Sequence, residues 1–164
     1  MDREKSNVDD NKTYHQVRDM LQFARAAYRK LSDYYATRQP EIVNPRAAML
    51  VNYLQGHASK MGSVLSDTMA SIPDNILGTF HQYEPESVER ISPEADNLHF
   101  DVDANPDEIA AKALRFHEIM HDYYAKAEDM ADFKEVAELF QSLKTEEKEN
   151  LKAITRNADA LQDI

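Results

Sequence analysis

Four residue groups in this chain have the types and spacing to do chemistry. Tyr28, His57, His117, and Glu147 with Asn150 each interrupt an otherwise apolar helical stripe near its middle. Polar groups at such positions must be hydrogen-bonded or ligated if they are buried. Four interruptions at similar depth predict one polar layer inside a helical core. Lys60 lies three residues beyond His57, on the flank of the same stripe. Turned inward, its ammonium would pair with Glu147; turned outward, it would run along the helix to water. A fifth pattern is His117-Glu118-Ile119-Met120-His121, which reads His-Glu-x-x-His. On one helix, histidines four residues apart can share a zinc ion with a glutamate as general base. Arg115 and Asp122 flank the motif closely and no strand-rich region accompanies it, which counts against a peptidase.

The elements that must position these groups follow from apolar spacing. Stripes alternating three and four residues run over about 13–38, 43–71, 106–130 and 132–162; this is the spacing of packed helices. The first is Val17, Leu21, Ala24, Tyr28, Leu31, Tyr35, with Thr13 and Gln16 as a capping box at its start and Pro40 at its end. The second is Ala47, Leu50, Leu54, His57, Met61, Val64, Thr68, opened by Asn44-Pro45. Asn105-Pro106, with Glu108, opens the third: Ala110, Ala113, His117, Met120, Tyr124, Ala127. Asp132 with Glu135 is read as the cap of the fourth: Phe133, Val136, Phe140, Leu143, Glu147, Asn150, Ile154, Asn157, Leu161.

Short connections make the first and last pairs into hairpins. Between them, residues 72–105 carry Pro73, Gly78, Pro85 and Pro93. A connection that long needs a geometric reason, and a crossover returning the chain to the other end supplies it. The expectation is an all-α, up-down-down-up four-helix bundle. A short helix around Asp74–Tyr83, anchored by Ile76, Leu77 and Phe80, is expected within the crossover. Residues 1–12 read as a flexible polar tail and 13–164 as one domain.

Composition limits the functions. A net charge of −11 disfavours nucleic acid and anionic membranes as partners. The absence of cysteine removes disulfides and thiolate metal sites and suits a cytoplasmic protein. No apolar run is long enough to span a bilayer. His15, His81 and His99 are expected on the surface, as are the acidic residues flanking Glu147. The Tyr34-Tyr35 and Tyr123-Tyr124 pairs are expected as core and interface filler.

Across about residues 13–160 the chain resembles the ferritin-like, rubrerythrin-type family. The segment from Val136 to Glu147 carries the likeness best, together with the tyrosines ending helices at Tyr35 and Tyr124. The resemblance implies a di-metal site with single glutamates on two helices and Glu-x-x-His on the other two. Position by position, Tyr28 stands at the first glutamate. His57-Ala58-Ser59-Lys60 stands at the second motif, His117 at the third glutamate, and Glu147-Lys148-Glu149-Asn150 at the last motif. Only Glu147 keeps the expected chemistry. The reading is a non-catalytic bundle with a lost or atypical metal centre, acting as a structural or partner-binding protein and a homodimer, with no cofactor. The rival is a metalloenzyme: an atypical iron or manganese site using His57, His117, Glu118, His121 and Glu147, or a zinc peptidase.

Overall fold

The computed structural model describes residues 13–83 and 98–162. The expected tail at 1–12 and the middle of the crossover therefore lie outside the described residues. The chain is mostly helical. A short strand β1 (Thr13–Gln16) leads into α1 (Val17–Arg38). Then come α2 (Pro45–Ser71), a single-turn α3 (Asp74–Leu77), strand β2 (Phe80–Tyr83), α4 (Pro106–Asp129) and α5 (Lys134–Gln162).

Helix starts follow from orphan backbone donors finding side-chain acceptors. Asn44 Oδ1 accepts from the N–H groups of Arg46 (2.9 Å) and Ala47 (3.2 Å), and Pro45 brings the helical φ without a donor to satisfy. Asn105 repeats the device on Glu108 N–H at 2.9 Å. The first helix departs from expectation. Thr13 to Gln16 form a strand, so the helix begins at Val17, and the Gln16 N–H is held by Asp19 Oδ2 at 3.1 Å. The last helix begins later than an Asp132 cap implies, with its first bond running from Ala137 N–H to the Phe133 carbonyl at 3.0 Å.

The two hairpins are antiparallel. Between α1 and α2, Arg25 meets Ser66, Arg29 lies over Gly62 and Ser32 meets Gln55. Between α4 and α5, Asp107 meets Gln162, His117 meets Glu147 and Glu128 meets Lys144. The stripes bury their apolar faces against one another, with Leu21, Leu31, Leu50, Leu54, Phe116, Met120 and Phe140 wholly enclosed.

Part of the crossover is not the helix expected at Asp74–Tyr83. It is one helical turn followed by β2, paired antiparallel with β1 in the register Thr13↔Tyr83 and Gln16↔Phe80. The ladder continues through Val17 N–H to the Thr79 carbonyl at 2.9 Å. Leu77 is buried as expected, but Phe80 is left 66% exposed. The ribbon ties the start of α1 to the crossover, and its inward residue is His81. That ring is buried, against the surface expectation. Its Nε2 lies 2.6 Å from the Ala127 carbonyl near the end of α4, and it packs edge-on to Phe140 at 5.5 Å.

The capping assignments make a direct prediction. Asn44→Ala and Asn105→Ala should each cost about 1 kcal/mol of stability. The shift in urea midpoint for each variant measures it, and a change within error at either site would show that water serves those donors as well.

Candidate functional site

The polar residues of the four stripes meet in one buried cluster. Glu147 and Tyr28 are fully enclosed, His117 and Asn150 nearly so, and His57 is half-buried at the edge. Each long helix contributes because each presents its interruption at the same depth. α1 brings Tyr28, α2 His57, α4 His117, and α5 both Glu147 and Asn150. The i, i+3 spacing of the last two places them on one face.

The hydrogen bonds centre on Glu147. Tyr28 donates its hydroxyl to Oε1. His117 Nδ1 lies 2.7 Å from Oε2, and Asn150 Nδ2 donates to that oxygen at 3.4 Å. Asn150 Oδ1 can only accept, so His57 Nε2, at 3.0 Å, carries the proton. The layer thus runs from buried Tyr28 through Glu147 and Asn150 to His57. Rings surround it. Phe116 stands edge-on to Tyr28 (5.3 Å) and to His117 (5.5 Å), and His57 stands edge-on to His117 (5.4 Å).

Electrostatics follow from dryness. Burial raises the Glu147 carboxyl to about 8, opposed by the Asn150 hydrogen bond. Burial also lowers His117 to about 3, with nearby His57 adding to the effect. His57 itself is lowered, first by burial and then by Lys60, with Asn150 and Glu146 opposing. Near neutral pH one proton therefore occupies the contact between Glu147 Oε2 and His117 Nδ1, and the pair carries no net charge.

Lys60 is exposed and forms no ion pair with Glu147. Its long stem reaches water, and Glu147 is already occupied by uncharged partners that cost less to bury. The His-Glu-x-x-His pattern is divided, because consecutive helix residues point about 100° apart. His117 faces the core, while Glu118 is exposed and pairs with Arg115 at 3.5 Å. His121 is half-buried, 3.7 Å from Asp122. Of the residues named for an atypical metal site, His57, His117 and Glu147 come together, and Glu118 does not join them.

A di-metal centre needs several carboxylates to balance its charge. Here there is one, and both of its oxygens are engaged by side chains of the same chain. Among the described residues, no group of three or more His, Cys, Asp or Glu side chains is arranged to hold a metal ion. The residues do not fit the group.

A separate cleft of about 380 Å³ opens beside Tyr34, Arg38, His99, Phe100, Asp101, Glu108 and Lys112. Its arginine is committed to Glu41 at 3.0 Å and to the Phe100 carbonyl at 2.5 Å. Its walls mix both charge signs. Comparison of the chain with protein-family models, curated proteins and solved structures finds no match. No helix among the described residues is long and apolar enough to cross a membrane.

The displaced pKa values set a pH dependence. Folded Glu147 keeps its proton between about 4.5 and 8 while the unfolded chain releases it, so stability falls as pH rises through that window. Folded His117 refuses a proton that the unfolded chain binds between about 6.5 and 3, so stability is also lost as pH falls through that range. Stability should peak between about 4.5 and 6.5, where the two effects offset. Glu147→Gln, which can still accept from Tyr28 and donate to His117 Nδ1, should erase the alkaline decline in urea midpoints measured across pH. An unchanged profile would place the titrating group elsewhere. Lys60→Met, by contrast, should cost less than about 1 kcal/mol, as for other exposed charges; a loss comparable to a core substitution would return Lys60 to the layer.

Proposed function

We propose that this chain is a ferritin-like four-helix bundle in which a hydrogen-bonded polar layer stands where the family holds its metal pair. In this reading it is a non-catalytic, cytoplasmic protein with a structural or partner-binding role, working as a homodimer or bound to another protein. The observation that carries the reading is that Glu147 is the one carboxyl group of the layer and both of its oxygens are hydrogen-bonded within the chain, Oε1 by Tyr28 and Oε2 by His117 and Asn150. A metal ion would have to displace these partners and would find no second carboxylate to balance its charge.

Helix directions support the ferritin-like part. Tyr123 on α4 donates to the Met20 carbonyl on α1, and Phe116 on α4 packs on Tyr28 of α1. The numbering rises along α1 as it falls along α4, so these two run oppositely. With both hairpins antiparallel, the order is up-down-down-up. The crossover then has the task of returning the chain to the far end.

Metal analysis of protein purified without chelators is the test. Iron, manganese and zinc should all be well below one ion per chain. About two ions per chain, lost on His117→Ala or Glu147→Ala, would reverse the reading and make the layer a metal centre.

A further inference from the structure

Two large apolar residues that belong to core patterns in the sequence are left in water at one end of the molecule. Phe133, at the head of the fourth stripe, is 57% exposed, and Phe80 is 66% exposed. Between α3 and the start of α5 lies a groove of about 370 Å³. It is lined by Asn75, Ile76, Thr79, Phe133, Glu135 and Val136. Val136 is buried and forms its floor, Ile76 is half-buried, and Phe80 follows Thr79 in the chain. Single exposed apolar side chains are ordinary, but apolar residues converging on a concave surface mark an interaction site.

The charges in and beside the groove are mostly acidic. Asp74, Asp132, Glu135 and Glu138 outnumber Lys134, which lies 3.7 Å from Glu138, and Arg18, which lies 3.8 Å from Asp74. Asp132 and Glu135 are exposed, and neither forms an ion pair among the described residues. Glu135 in the lining, and Asp132 next to Phe133 in the chain, set carboxylates beside an apolar floor. The backbone offers less, because the Thr79 carbonyl is already held by Val17 N–H. A partner must be read by its side chains, which suits a helix whose own backbone is internally bonded.

We infer that this groove docks a basic, amphipathic helix of another protein, placing its apolar residues against Ile76, Phe133 and Val136 and its Lys or Arg residues against Asp132 and Glu135. The inference rests on the partner-binding reading and supplies that reading with a surface and a partner chemistry. A partner of this kind also matches the acidic character of the chain as a whole, net charge −11.

The test is fluorescence anisotropy of a labelled synthetic leucine–lysine amphipathic helix titrated with the full chain. Serine is a favoured residue at a helix start, so Phe133→Ser should fold. It should weaken binding by about fourfold or more, since Phe133 is 57% exposed and only that part of a phenylalanine's burial remains to be gained. Glu135→Lys should also weaken binding, and a leucine–glutamate helix of the same apolar face should bind far more weakly. Equal binding by Phe133→Ser and the unaltered chain would reduce the effect to general attraction between opposite charges and overturn the inference. So would equal binding of the leucine–glutamate helix. Self-association abolished by Phe133→Ser in sedimentation would give the groove to a second copy. A melting temperature lowered by Phe133→Ser as far as by a core substitution would mean that the chain covers the groove itself. Either result overturns the helix as occupant. Metal content reports on the non-catalytic reading separately, so either conclusion can fail without the other.

Discussion

The interior depends on how one carboxyl group is accommodated. Glu147 is fully enclosed among aromatic rings. Leaving such a group unpaired would cost several kcal/mol, and leaving it charged and unpaired far more. The fold meets that cost by bringing a partner from every other long helix: Tyr28 and His117 directly, and His57 through Asn150. Each partner has one productive position. A helix sliding by a turn would remove its partner and strand a polar group in the core. The layer therefore acts on register, and the apolar stripes supply most of the burial energy.

The same arrangement sets the chemistry of the layer. Its components balance without net charge because Glu147 is raised and His117 lowered by the same dry surroundings. A hydroxyl, an imidazole and an amide fill the positions around the carboxylate. Tyr28 and Asn150 donate to it and His117 Nδ1 shares its proton, so every member of the layer has a hydrogen-bond partner. The His57 end is half-buried, so the chain of bonds ends near solvent and not in a closed cavity.

The small ribbon has a structural consequence out of proportion to its length. β1 and β2 join the entry of α1 to the crossover, and His81 anchors the ribbon on the Ala127 carbonyl near the end of α4. Three parts of the chain distant in sequence are thereby fastened at one end of the helices. Directing His81 inward puts Phe80, its neighbour on a two-residue period, outward. The exposed phenylalanine is thus a product of strand geometry at a place where helical spacing implied burial.

Much of the architecture was legible in local sequence. Alternation of three and four residues located the four long helices, and Asn-Pro pairs marked two of their starts to the residue, because these signals act within a turn or two. The membership of the polar layer was legible too: Tyr28, His57, His117, Glu147 and Asn150 interrupt their stripes at a common depth. What the spacing could not carry was direction at the flank and pairing at a distance. Lys60 sits where either orientation is sterically open, and only the packed core, with Glu147 already satisfied, sends it to water. Glu118 is adjacent to His117 in the motif but a helix separates them by rotation. The strands at 13–16 and 80–83 are too short to announce themselves, and each exists only because the other lies beside it. Local propensity and periodicity determined which residues form helices and which interrupt them; the partners of those interruptions were decided by tertiary packing, because hydrogen bonds across a core join residues that no local signal connects.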